Sequence, residues 1–455
     1  MKRSQRNLVE GPILSGIITY TIPIILTSLL QLLFNAADLV VVGRFRGSIS
    51  VAAVSATGAI INLIVNLFMG LSVGAGVAVA HGLGGQQDEE VHRTVHTALP
   101  TAFVGGLILT AVGIIFSDEL LTLMQTPIEV LPLSSLYMKI YFGGITFPLI
   151  YNFSASILRA AGDTKSPLLF LSIAGVVNVV LNLFFVIVFN MNVEGVALAT
   201  TISQGISAVL VVIALMRRKD ACRLYLKKVR FYKAQLLKII RIGLPAGIQG
   251  SLFSISNVMI QSSINSFNDP ILMSGNGAAA NIEGFIYVTM NSIHQTTVNY
   301  IGQNVGARRF DRVKKVFTTC LICVAVAGAA TSGLAYLFGK ELLGIYITDS
   351  QQAINYGLTR FAYICVPYFL CGLMDVSTGA LRGLGSSFTP MLISILGVCG
   401  LRIVWIYTVF PLQQFHSPEG LYMTYPISWV LTFAAQTLAF IILYRKKKRQ
   451  YCLQD

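Results

Sequence analysis

Charge is scarce in this chain. Only 11% of its 455 residues are Asp, Glu, Lys or Arg, against roughly 25% in an ordinary soluble domain. That deficit excludes a soluble enzyme, a disordered protein and a collagen-like fibre. No glycine-rich phosphate loop with its lysine is present, so no ATP motor is encoded. The five histidines form no zinc-ligand pattern, and no aspartate-rich diphosphate motif of an intramembrane transferase occurs. The expectation is a non-enzyme with no cofactor. The seven cysteines are an odd number, lying in apolar runs or polar connecting segments, and imply no disulfide framework. Cys320-x-x-Cys323 has redox spacing but falls inside an apolar run, where packing explains it.

What is present is apolar. Hydrophobic residues make up 55% of the chain, and the mean hydropathy is +0.71. A membrane-spanning helix needs roughly 20 apolar residues. Twelve such stretches are found, at about 13–43, 50–80, 95–116, 134–159, 166–190, 193–216, 239–266, 276–300, 315–338, 355–382, 389–411 and 421–443. The predicted fold class is an all-α polytopic membrane protein. The basic start runs into an apolar stretch too long for a signal-peptide core, so it reads as the first membrane helix.

The net charge of +14 is explained by topology. Lys2-Arg3, Arg217-Arg218-Lys219, Lys227-Lys228, Arg308-Arg309 and Arg445 to Arg449 mark one side. The intervening loops carry Asp118-Glu119, Glu194, Asp269, Asp349 and Glu419. By the positive-inside rule both termini are cytoplasmic, and no nucleic-acid partner is needed to account for the basic excess. Short loops favour a prokaryotic plasma membrane.

The chain repeats itself. Leu158 to Leu168 matches Leu381 to Met391 without a gap, at an offset of 223 residues. Gly84 and Val91 match Gly306 and Val313 at an offset of 222, and Pro23 falls on Pro245 at the same offset. Residues 1–216 and 242–455 therefore read as two six-helix lobes, joined by a basic cytoplasmic linker at 217–241. An even number of helices per lobe gives both the same orientation, related by a pseudo-two-fold axis along the membrane normal. In the repeated motif, Gly162 and Gly385 suit a left-handed helix end. Ser166-Pro167 and Thr389-Pro390 look like an N-cap followed by proline at the first helical position. Arg159 and Arg382 suit helix C-termini.

Ionisable groups in a membrane span are costly and mark function. Three acids fall inside spans: Asp38, Glu283 and Asp375. Arg360 and Arg402 are the basic ones, and both are placed where they can snorkel to an interface. Thr27, Gln31, Asn35 and Asp38 follow helical spacing and make one polar stripe. Pro23 interrupts the backbone bonding of the same helix about 22 Å from Asp38. The stripe reads as a proton- or cation-binding carboxylate on a bendable helix. Partners are offered by Asn152 with Ser156, by Asn178 with Asn182, and by Thr200 with Gln204, each pair on one helix face. Their oxygens and one carboxylate are of the kind that coordinates Na⁺. Interhelical hydrogen bonding is the alternative reading. In the second half, Glu283, Tyr287, Asn291, Gln295 and Asn299 form a stripe whose counterparts Ile61, Val65, Met69 and Val73 are apolar. The halves thus differ in chemistry, and Glu283 and Asp375 are candidates for a substrate or second ion site, with helix pairing as the alternative for Glu283 and an unusually placed interfacial acid as the alternative for Asp375.

Asp38-Leu-Val-Val-Val-Gly43, Gly302-Gln-Asn-Val-Gly-Ala307 and the duplicated Leu-Arg-x-x-Gly…Pro motif resemble those of the multidrug and toxic compound extrusion (MATE) family, over nearly the whole chain. The resemblance implies two six-helix lobes in a V, drug efflux, and coupling to Na⁺ or H⁺. The chain is more similar to the DinF-like group, where a bending proline and an acid stand 15 residues apart, as Pro23 and Asp38 do here. That group's cation site carries over to Asp38, Asn178 and Thr200, with the nearby asparagine at Asn152. Asn182 stands where the group often has an aspartate. The NorM-like group has a glutamate about where Phe253-Ser254 stand, so its second-lobe coupling does not carry over.

The expected function is a monomeric antiporter that exports organic, cationic and amphipathic compounds, with membrane lipids around it. Asp38 is the coupling carboxylate. Gln31, Asn35, Asn152, Gln204, Glu283, Tyr287, Asn291, Gln295 and Asp375 are substrate or second-site candidates. The alternative is a flippase for a lipid-linked precursor.

Overall fold

The computed structural model describes residues 8–124, 126–348 and 350–452; Lys2, Arg3 and Asp349 of the charge pattern lie outside them. The described residues fold into helices joined by short turns, with no strand among them. Twelve helical passes follow the apolar stretches. They are α1 (Ile13–Arg46), α2 (Ser48–Gly84), α3 (Asp88–Leu123), α4 (131–160), α5 (Lys165–Val188) and α6 (Val193–Met216). The second series is α7 (Lys233–Asn265), α8 (Pro270–Gly306), α9 (Phe310–Leu337), α10 (Gln351–Gly383), α11 (Phe388–Thr408) and α12 (Thr424–Cys452).

Ten of these passes are apolar and long enough to cross a membrane. The other two are α4, interrupted at Gly143-Gly144, and α8, whose polar stripe lowers its hydropathy. Helices exceed their apolar stretches because polar first turns continue the same hydrogen bonding. Thus α3 begins at Asp88 with three acids in its first turn, where acids suit the helix N-terminus. Likewise α7 begins at Lys233, inside the basic 217–241 segment.

The chain divides into two compact units. The first comprises Met1–Glu10 and Ile22–Ser251, the second Gly11–Thr21 and Leu252–Asp455. The first has a core built on Met138, Phe142, Leu149, Tyr151 and Phe153, all 2% exposed or less. The second is centred on Ile264, Met374, Tyr422 and Trp429. Within it, Tyr20 packs edge-on against Tyr300 and Thr21 shares a hydrogen bond with Thr296 at 2.8 Å. Both α1 and α7 start in one unit and end in the other. In α1 the change falls between Thr21 and Ile22, next to Pro23.

The sequence repeat is a structural repeat. Gly162 and Gly385 have φ of 82° and 85°, the left-handed geometry expected of them. Asp163 N donates to Leu158 O, and Ser386 N to Leu381 O, at 2.9 and 3.0 Å. The turn before α3 is reproduced before α9. Gln86 and Arg308 are left-handed, and the bonds Gln87 N to Gly82 O and Arg309 N to Asn304 O both span 2.9 Å. Each is the six-to-one bond that closes a helix C-terminus.

The proposed caps at Ser166 and Thr389 are corrected. Helix α5 starts at Lys165 and α11 at Phe388, so Pro167 and Pro390 lie within the first turn rather than at its first position. Asp163 serves α5 instead, accepting from the Ser166 N–H at 3.0 Å and from its hydroxyl at 2.7 Å. A carboxylate three residues upstream reaches the unpaired N–H groups better than the hydroxyl does.

Candidate functional site

Asp38 is buried in the first unit, 6% exposed, with Asn178, Asn182 and Thr200 beside it. Helix α1 reaches α5 through Phe34, whose ring covers Gly175. A Cβ on Gly175 would lie 1.7 Å from Phe34 Cζ, so only glycine allows this approach. One helical turn beyond Phe34, Asp38 meets the next turns of α5. The Asn182 amide donates to Asp38 Oδ1, and Thr200 of α6 donates to Oδ2 at 3.0 Å. Asn182 also donates to Asn178 Oδ1 at 3.2 Å, and Asn178 to Thr200 at 3.2 Å. Asp38, Asn178, Asn182 and Thr200 thus form one closed ring across three helices.

Every donor in that ring is neutral. Asn182 Oδ1 is buried without a hydrogen-bond partner. An oxygen left over beside a carboxylate leaves room for a cation or a proton carrier. Among the described residues no group of three or more His, Cys, Asp or Glu is placed to hold a metal. Directly after Asn182 the helix widens into a π-helical turn, Phe184–Val188, and Arg46 of α1 donates to the Val186 carbonyl there. The rest of the α1 stripe is graded. Thr27 is buried and donates to the Pro23 carbonyl at 2.7 Å, Gln31 is half-buried and Asn35 exposed. Asn152 is half-buried and bonds the Pro148 carbonyl; Gln204 is half-buried beside Ser207. Neither is hydrogen-bonded to the Asp38 ring, and both stand as separate polar positions.

The second unit carries a different polar system. Glu283 of α8 is paired with Arg360 of α10 through two bonds of 2.9 and 2.7 Å. Arg360 also donates to Asn276 Oδ1 at 2.6 Å, which accepts from Tyr422 as well. Lower on α8, the Tyr287 hydroxyl bonds Asp375 of α10, whose Oδ2 is otherwise buried and unpartnered. Arg382 donates to His294 Nε2 at 3.3 Å, so His294 Nδ1 carries the proton given to the Asp375 carbonyl at 2.6 Å. Asn291 and Gln295 are half-buried on the same helix, and Asn299 is buried.

Two expectations change here. Arg360 and Arg402 do not snorkel: they are 6% and 4% exposed and are enclosed by helices of their own unit. His294, Asn276 and Tyr422 were missed. The signal for His294 and Asn276 was available, since both are polar residues on the α8 stripe's helix. The partner of Tyr422 lies 146 residues away, which no spacing rule reaches.

The MatE family model matches residues 23–184 and, a second time, residues 245–408. The chain belongs to the MatE family. Each match covers α1 to α5 or α7 to α11, one per repeat. Over 94% of each chain it is 26% identical to the probable multidrug resistance protein YoeA of Bacillus subtilis. It is 21% identical to the multidrug export protein MepA of Staphylococcus aureus, over 85% of each chain. A crystal structure of a MATE protein in complex with MaL6 superimposes with a TM-score of 0.90 at 19% identity, covering 98% of this chain and all of that one. An outward-facing multidrug resistance MATE family transporter gives 0.89 at 20% identity, over 99% of this chain. The fold is therefore that of MatE proteins, twelve membrane helices in two lobes.

Proposed function

We propose that this MatE protein is a secondary active transporter that exports organic, amphipathic and cationic compounds by antiport with H⁺ or Na⁺. The observation that carries the reading is the Asp38 ring. A carboxylate that is 6% exposed within a span and bonded by neutral amide and hydroxyl groups lacks a compensating charge. In the hydrocarbon zone that charge has to be supplied by a proton or a bound cation. The names of YoeA and MepA, a probable multidrug resistance protein and a multidrug export protein, support organic compounds as cargo.

In this reading, ion binding at Asp38 changes how α1 packs on α5 and α6. Pro23 lets the helix respond, because proline withholds one backbone hydrogen bond. Its position beside the place where α1 passes between units supports that role. Substrate and ion then compete for different arrangements of one helix, and transport follows from the population shift. The spacing of Pro23 and Asp38 favours the DinF-like group. In this reading the protein is a monomer in the plasma membrane, and the distribution of basic segments supports an orientation with both termini cytoplasmic. The flippase alternative calls for a strongly basic interior; of the buried arginines of the second unit, Arg360 is neutralised by Glu283 and Arg382 lies beside Asp375, which leaves Arg402 as a single cation.

The test uses proteoliposomes loaded with a fluorescent organic cation, with Na⁺ and pH gradients imposed separately on wild type and Asp38→Asn. Dye movement on one gradient, lost in the variant, is expected. An Asp38→Asn protein that still drives gradient-dependent efflux would overturn the reading.

A further inference from the structure

Of the arginines buried in the second unit, one is not neutralised. Arg360 has Glu283, and Arg382 faces His294 and Asp375. Arg402, on α11, forms no ion pair among the described residues. Its Nη1 donates to Asn257 Oδ1 of α7 at 3.2 Å, and its guanidinium lies 4.0 Å over the ring of Tyr425 on α12. Its Nε is buried and has no acceptor. The residue as a whole is 4% exposed.

A guanidinium has five N–H donors in a planar fork. Here one of them reaches an amide oxygen, and an aromatic face offers partial compensation for the charge. A buried cation left in this state within a span is costly, and such residues mark substrate or ion pathways. The fork matches the two oxygens of a carboxylate. The surroundings suit the rest of an amphipathic molecule: Trp429 packs edge-on against Tyr425 at 5.7 Å, and the Tyr368 ring lies tilted against Trp429 at 5.3 Å. Just before Arg402, α11 widens into a π-helical turn at Ile395–Gly400, a feature frequent at functional sites.

We propose that Arg402 anchors an oxyanion of the transported compound, namely a carboxylate, so that the preferred cargo is zwitterionic rather than purely cationic. This rests on the antiport reading above and names the cargo class for it. Arg402 opens to cargo in the course of the transport cycle, with Tyr425 and Trp429 holding the apolar body. A lipid-headgroup phosphate shares the chemistry, and the experiment separates the two.

Transport of a xanthene dye with a free carboxylate is compared with that of its methyl ester, in proteoliposomes of wild type, Arg402→Gln and Arg402→Lys. The dyes share the cationic ring and differ at the carboxylate alone. In wild type the free acid is expected to have a KM at least about tenfold lower, the size of a charge-assisted contact. Arg402→Gln raises the KM of the acid and leaves the ester unchanged; Arg402→Lys, which keeps the charge but not the fork, does so in part. If Arg402→Gln fails to fold, the selective loss in Arg402→Lys still carries the test. Equal KM values for both dyes in wild type, or parallel loss of both dyes in both variants, overturns the proposal while antiport stands. If wild type moves neither dye on either gradient, both readings fall. Native mass spectrometry decides the source. A phospholipid retained by wild type and lost from Arg402→Gln, with dye preference unchanged, assigns the site to lipid phosphate and overturns the cargo assignment.

Discussion

Glu283 and Arg360 meet through two charge-assisted bonds, one to each carboxylate oxygen, with both side chains 8% exposed or less. The acid that looked like a second ion site is therefore already compensated. Removing one member of a buried pair costs about 3–5 kcal/mol, because the other charge is stranded. Glu283→Gln should lower the melting temperature in detergent by several degrees and leave gradient-driven transport of surviving protein intact. The double variant Glu283→Met with Arg360→Met should recover most of the stability. Loss of coupling at full stability in Glu283→Gln would instead make this pair part of the transport mechanism.

The Asp38 ring predicts the opposite behaviour. Asn182 donates to the carboxylate and has a spare buried oxygen. Asn182→Asp exchanges that donor for a second negative charge facing the same space. The coupling ion should then be held more tightly, and the ion concentration for half-maximal transport should fall about tenfold, the effect of about 1.4 kcal/mol. Asn182→Ala should raise it. Transport assayed against stepped ion gradients reads both, and movement of the two variants in the same direction would remove Asn182 from the site.

These two sites show what the sequence makes legible. Twelve helices follow from apolar length, and the left-handed turns at Gly162 and Gly385 follow from a repeated motif with glycine at one fixed place. Asn178 and Asn182 are visible as one face because the helix period puts them there. That they face Asp38 comes from the family resemblance, since no spacing links residues 144 positions apart. The pairing of Glu283 with Arg360 is illegible for the same reason. The π-helical turns at Phe184–Val188, Phe361–Cys365 and Ile395–Gly400 adjoin Asn182, Arg360 and Arg402, yet nothing in their apolar composition announces them. The caps at Ser166 and Thr389 were misplaced because proline is also tolerated later in the first turn.

A helix crossing in the first unit was also unannounced. Gly70 and Gly74 of α2 meet Gly243 and Gly247 of α7 backbone to backbone. A Cβ on Gly70 would stand 2.1 Å from Gly247 N, and one on Gly247 would stand 2.2 Å from Leu67 O. Small residues four apart permit such contact, and in a membrane close packing is a main source of helix association. Gly247→Val should destabilise by about 1–3 kcal/mol or more, as overpacking does. Gly284→Ala, where a Cβ meets nothing within 4 Å, should be neutral or stabilise by up to about 1 kcal/mol. Thermal unfolding of the two in one detergent checks the contrast; equal effects would remove the crossing from the stability of the unit.

The linker after α6 is held rather than loose, and Cys222 reports on it. Leu224 N bonds Leu215 O at 3.2 Å, and Tyr225 N donates to His96 Nε2 at 2.9 Å. Between these anchors and the end of α6, Cys222 is fully buried; burial, with the Asp220 carboxylate nearby, pushes its thiol up to about 12. Only the thiolate attacks maleimide. In a chain keeping Cys222 as its one cysteine, labelling should be slow at neutral pH and accelerate as pH is raised. His96→Ala removes the Tyr225 anchor, so the freed thiol should return to its ordinary value of about 8.5 and label rapidly at neutral pH. The sign follows from linkage. The folded linker holds its proton more tightly than the released one, so its stability is complete below about 8.5 and declines as pH rises towards about 12. Equal labelling rates for the two proteins at neutral pH would show that His96 does not hold the linker.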